Sequence, residues 1–145
     1  MKLEEILEQW GKDSAIDQIM LDNTALTIAK MHHKYYSVLS RERLRLSKLE
    51  AEMKTLKLDK YEFYVDGPTQ EQIEKGWKLP AKGKILRSDV NMYLDADQDI
   101  IRKNLELAYQ REKLEVLESI IKTINNLGFH VKTAVDFRRM SQGQV

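Results

Sequence analysis

The chain of 145 residues has no cysteine, two prolines and six glycines. Without thiols there is no disulfide scaffold, no thiolate zinc site and no cysteine nucleophile, and the redox compartment stays open. No apolar run approaches the ~18 residues a membrane helix needs, so no membrane contact is expected. The opening Met1-Lys2-Leu3-Glu4-Glu5 is too acidic for a signal or transit peptide. The glycines are isolated, so neither a Walker loop nor a dinucleotide fingerprint can be written. His32 and His33 are adjacent, about 100° apart on a helix, and cannot share a metal. Asp95, Asp97 and Asp99, with Glu106 at the last position, imitate a calcium loop, but Ile100 stands where its sharp turn demands glycine. Helix N-capping explains those carboxylates better. No metal, cofactor or catalytic residue is therefore expected, and a small soluble cytoplasmic protein remains.

The scarcity of Gly and Pro also sets the architecture. Neither residue occurs between Gly11 and Gly67, nor between Gly83 and Gly128, and both stretches are rich in helix formers. A mainly α fold follows, with two long amphipathic helices joined by an irregular connector. A short first helix carries Leu3, Ile6, Leu7 and Trp10 and closes at Gly11, and residues 13–22 hold a turn and part of a second helix. The first long helix runs from about Asn23 to Tyr64, with Ile28, Tyr35, Leu49, Leu56 and Phe63 on one seven-residue line broken only by Glu42. At ~1.5 Å per residue it measures roughly 60 Å, against a diameter of roughly 40 Å for a compact globule of this size. It must bend or lean on another subunit.

Thr69 and Gln72 form a capping box that opens a short connector helix ending at Gly76. Asp95 or Asp97 caps the second long helix, about Gln98 to Leu127, which stops at Gly128. A short helix is preferred to a strand for the tail beyond it. The whole is read as a single domain, 1–145, with 1–64 as the N-terminal segment and basic helix, 65–94 as the connector, and 95–145 as the second helix and basic tail. Leu107, Leu114, Leu117, Ile121 and Ile124 form apolar lines too continuous for one short partner face, which suggests a subunit interface.

Net charge is only +1, but it is segregated. Residues 1–29 carry two basic and six acidic groups, and residues 30–60 nine and four. Lys34, Arg41 and Lys48 fall seven apart with Arg45 a turn away, and Arg43, Lys54, Lys57 and Lys60 widen the stripe. It admits two readings. One is the solvated face of a structural coiled-coil adaptor that binds no nucleic acid. The other is a phosphate-binding surface bracketed by aromatics, which suits single-stranded nucleic acid. Tyr35 and Phe63 lie on the apolar line and belong to the core; Tyr36, Tyr61 and Tyr64 are off it and available for stacking.

The succession Trp10-x-x-Asp13-x-x-Ile16-Asp17, His33-Lys34-Tyr35, the basic run Arg41 to Lys48, Tyr61-Glu62-Phe63-Tyr64 before a glycine, Gly76-Trp77, and Phe129-His130-Val131-Lys132-Thr133-Ala134-Val135 resembles the UvsY family of phage recombination mediators along nearly the whole chain. That resemblance implies a ring-like homo-oligomer without catalysis, acting in the cytoplasm of the infected bacterial host. It implies binding to single-stranded DNA and the loading of a RecA-like phage recombinase, UvsX, onto strands covered by the phage single-stranded-DNA-binding protein. The family's basic run before the aromatic turn corresponds here to Leu56-Lys57-Leu58-Asp59-Lys60. Lys57 carries over, whereas Asp59 is an added acid, so the contact is expected to weaken or to shift toward Arg41, Arg43, Arg45 and Lys48.

Overall fold

Long runs of straight-chain residues with apolar side chains every third or fourth position bury one stripe and leave the rest to water. In the computed structural model, which describes residues 1–14 and 21–143, that pattern yields five helices and, among the described residues, no strand. They are α1 (Leu3–Asp13), α2 (Leu21–Asp66), α3 (Gln70–Glu74), α4 (Val90–Ala96) and α5 (Gln98–Ser141). The two long helices are those expected, though the tail is not a separate helix. Most of the turn expected over 13–22 lies outside the described residues. The chain divides into two compact units, Met1–Leu44 with Arg111–Val145, and Arg45–Gln110.

The first unit combines α1 with the start of α2 and the later part of α5. Ile6 of α1 is fully buried, and Ile28, Met31, Tyr35, Val38 and Leu39 at helical spacing on α2 are buried, as are Leu114, Leu117, Ile120 and Ile124 on α5. Each such side chain contributes about 1.5–3 kcal/mol when removed from water. Trp10 meets the Tyr35 ring edge-on at 5.6 Å. Asp13 at the end of α1 accepts hydrogen bonds from Tyr35 Oη at 2.9 Å and Lys34 Nζ at 2.8 Å, tying the two helices together. Burial alone would raise the Asp13 pKa, but these donors, with Gln9, outweigh it and hold the carboxyl below its ordinary value. Glu42, the break in the apolar line, is buried and faces the equally buried Lys113 at 3.4 Å.

Two of the three glycines expected to end helices do not. Gly11 lies inside α1 and Gly128 inside α5, neither with positive φ. A glycine in mid-helix costs roughly 0.5–1 kcal/mol but does not break the hydrogen-bond ladder as proline does. Phe129, the residue after Gly128, is exposed.

The second unit holds the remainder of the long helices and the connector. Met53, Ile100 and Leu107 form one cluster, flanked by Leu46, Leu49 and Leu56. Phe63, Tyr64, Ile85 and Val90 form another, against which Tyr61, Trp77, Leu79 and Tyr93 pack. α2 ends because Gly67 takes φ +90° and Pro68 follows. The capping box is present as expected: Gln72 N donates to Thr69 Oγ1 and Thr69 N to Gln72 Oε1. At the other end of α3 a Schellman motif forms, with Gly76 N donating to the Ile73 carbonyl and Trp77 N to that of Gln72. Gly76 supplies the required positive φ of 83°. α4 was not expected; its N-cap Asp89 makes no side-chain capping bond. At α5 the cap is Asp97, whose Oδ1 accepts from the backbone of Asp99 and Ile100.

Candidate nucleic-acid interface

Phosphate binding requires cations that reach solvent and are not already neutralised. Of the expected set, Arg41, Arg45, Lys48, Lys54 and Lys57 are exposed, and no ion pair or hydrogen bond engages their side chains among the described residues. Lys34 and Arg43 also reach solvent, but Asp13 and Glu118 lie 2.8 and 3.5 Å away. Within the second unit, at about 100° per residue, Arg45 and Lys48 lie on one flank of the apolar line of α2. Lys54 and Lys57 lie on the other. The expected single stripe is thus two shorter ones, separated by the side chains that build the core.

Lys60 departs most from expectation. It is 4% exposed, with Nζ 3.2 Å from Asp97 and 2.8 Å from Asp99, and lies 3.8 Å over the centre of the Trp77 ring. Moving it to a phosphate would strand two carboxylates, one of them buried, so it is removed from the interface. Tyr64 is removed with it: buried, it donates from Oη to Asp97 Oδ2 at 2.6 Å, and burial together with this carboxylate pushes its phenol pKa far up. For Asp97 burial acts to raise the pKa, but the bonds from Tyr64, the Ile100 amide and Lys60 prevail and lower it. Tyr61 is half-buried against the same aromatic cluster. Tyr36 is exposed and stacked with His32. Tyr35 and Phe63 are core residues, as expected.

The residues expected at a subunit interface have work within one chain. Leu107, Leu114, Leu117 and Ile124 are buried there, and Ile121 is half-buried. Their continuity reflects a helix packed along much of its length by its own chain, which periodicity alone cannot distinguish from packing by a second copy. Of the large apolar side chains exposed on α5, Leu105 and Tyr109 lie in its first half and Phe129, Phe137 and Met140 near its end.

Sequence reasoning missed a groove in the second unit. It has a volume of about 530 Å³ and is lined by Lys48, Ala51, Thr55 and Asp59 of α2, by Lys75 and Trp77 after α3, and by Lys103 of α5. Lys103 is held by Glu52 at 3.0 Å and Glu106 at 3.2 Å, and the hydrogen bond to Glu52 is the main cause of its raised pKa. Gly76 followed by an aromatic was the available signal, because the Schellman turn fixes where the next side chain goes.

No curated protein matches the chain by sequence. Solved structures match its fold. A crystal structure of the bacteriophage T4 recombination mediator protein UvsY gives a TM-score of 0.80 at 23% identity, covering 98% of this chain and 98% of that one. A second crystal form of the same protein gives 0.78 at 21%, covering 97% and 99%. The family described as recombination, repair and ssDNA binding protein UvsY matches residues 9–144, nearly all of the sequence. The chain therefore belongs to the UvsY family of recombination, repair and single-stranded-DNA-binding proteins, which are not enzymes.

Proposed function

We propose that this protein is a recombination mediator that holds single-stranded DNA through the unpaired cations of α2 and helps a RecA-like phage recombinase of the UvsX type replace the phage single-stranded-DNA-binding protein. The observation that carries this reading is the contrast among the cations of α2. Lys34, Arg43 and Lys60 face carboxylates, while Arg41, Arg45, Lys48, Lys54 and Lys57 stand in solvent without partners among the described residues. A coiled-coil adaptor would need a partner's acids to match them; a polyanion needs them as they are.

A single copy offers few contacts and binds feebly at physiological salt. Several copies in a ring-like homo-oligomer gain affinity through effective concentration without any new contact. The exposed Phe129, Phe137 and Met140 supply apolar surface for association between copies. A strand held at many points is a poorer substrate for the coating protein, and that is the route to its displacement. No helix among the described residues is long and apolar enough to cross a membrane, and the place of action is the cytoplasm of the infected bacterial host.

Fluorescence anisotropy with labelled oligonucleotides tests the reading. Binding should prefer single strands, tolerate any sequence and weaken steeply with salt. Equal affinity for duplex DNA, or none for either, would return the cations to the status of a solvated helix face.

A further inference from the structure

We propose that the groove beside Trp77 is a nucleobase pocket, in which one base of a single strand stacks on the indole while the phosphates flanking it meet Lys48 and Lys75. The proposal rests on the reading of this protein as a single-strand binder and goes beyond it by assigning a place to a base rather than to the backbone.

The space is adequate. A volume of about 530 Å³ lies within the ~300–1,000 Å³ of small-ligand sites. The α2 wall carries the small Ala51 and Thr55, four residues apart and so adjacent on one helix face.

The indole is held before any ligand arrives. Its backbone amide is fixed by the Schellman turn at Gly76. Its ring meets Phe63 edge-on at 5.5 Å, and Lys60 Nζ lies 3.8 Å over the ring centre. Lys60 is itself locked by Asp97 and Asp99. A ring so fixed loses little freedom on stacking, which removes part of the usual cost of ordering a side chain. Part of the Trp77 side chain nevertheless stays accessible and lines the groove.

The polar lining sorts base from phosphate. Lys48 has no partner among the described residues, and Lys75 is engaged by Glu71 in an exposed pair of small worth. Both can turn to a phosphate. Of the groove's two carboxylates, Glu52 is neutralised by Lys103. Asp59 repels phosphate but suits the N–H edge of a base, as carboxylates do toward cytosine in duplex readers. Lys48 also belongs to the flank of α2 that carries Arg45, so the strand can continue from one cation to the next.

Photo-crosslinking of the unmodified protein to an oligonucleotide containing 5-iodouracil, with the adduct located by mass spectrometry, is the direct test. The adduct is expected on Trp77. In parallel, W77L should weaken oligonucleotide binding about tenfold at low salt and leave the salt slope unchanged, since base–aromatic stacking contributes ~1–3 kcal/mol and ~1.4 kcal/mol is tenfold. W77F should keep most of the affinity, which separates stacking from collapse of the aromatic cluster. Adducts only at Tyr36 or Tyr61, or W77L binding as the wild type does, would overturn the pocket and leave the single-strand reading standing. Absence of oligonucleotide binding by the wild type would overturn both.

Discussion

Lys60 shows how far a single residue can depart from its surroundings in sequence. It stands in a basic run and reads as one more phosphate ligand, yet its partners, Asp97 and Asp99, lie far along the chain. Nothing local announces such a pairing. Charge counts register that a cation is present, whereas burial depends on which helix crosses it. Replacing Lys60 by methionine leaves Asp97 buried without its cation and should cost about 3–5 kcal/mol in urea denaturation. Binding to DNA should fall with the unfolded fraction, and beyond it only as far as Lys60 holds the Trp77 ring in place. Asp97→Asn tests the other side of the pair. Asparagine still caps α5, but it no longer titrates. A carboxyl with a depressed folded-state pKa contributes stability that is present above its ordinary value of 3.8 and disappears as pH falls through the lower folded value. The wild type should therefore lose stability below about pH 4 along a steeper limb than Asp97→Asn, as read from unfolding midpoints between pH 7 and 2.

At the scale of elements, helices were legible wherever periodicity ran long. α2 and the start of α5 agree with their expected spans, and the capping box at Thr69 and the cap at Asp97 were readable from residue type and spacing. Glycine punctuation was less reliable. Gly67 and Gly76 end helices because the chain adopts positive φ there, but Gly11 and Gly128 do not; a lone glycine permits a stop without requiring one. Gly128 is a useful test. A Cβ there would meet Ile28 Cγ2 at 3.9 Å, an ordinary contact. Gly128→Ala should stabilise the protein by about 0.5–1 kcal/mol, visible as a higher unfolding midpoint. α4 escaped notice because seven residues with no side-chain cap leave too little pattern. The apolar lines of α5 were seen, and within one chain most of their side chains are already buried. Since Leu117 is fully buried within one chain, Leu117→Ala should cost about 2–5 kcal/mol of folding stability, measured at protein concentrations spanning two decades. A cost confined to high concentration would instead return Leu117 to a contact between copies.

For the whole molecule, the binding surface was only partly legible. The basic character of α2 stands in the sequence. Which cations remain available does not, because it depends on where the carboxylates of other helices come to rest. The five cations of α2 without partners among the described residues make a quantitative prediction. For single strands, log affinity falls with log salt by about 0.7 per phosphate neutralised. Arg45→Ala with Lys48→Ala should therefore reduce the slope by about 1.4 per copy engaged. Lys57→Ala should reduce it by about 0.7 if the opposite flank also touches the strand, and by nothing if it does not. Titrations at four or five salt concentrations distinguish the two flanks.

The two compact units are not equivalent along the chain. One is a single continuous stretch, Arg45–Gln110, whereas the other is assembled from Met1–Leu44 and Arg111–Val145. Protein synthesis proceeds from the N-terminus at about 5–20 residues per second, so the continuous unit can be complete while the second half of the other does not yet exist. For on the order of seconds, Ile28, Met31, Tyr35, Val38 and Leu39 must wait for Leu114, Leu117, Ile120 and Ile124. A nascent chain stalled before residue 111 would present that unmatched apolar face to other ribosomes' products and to chaperones. The last part of α5 is in this sense the closing half of a core whose first half leaves the ribosome before the other unit does.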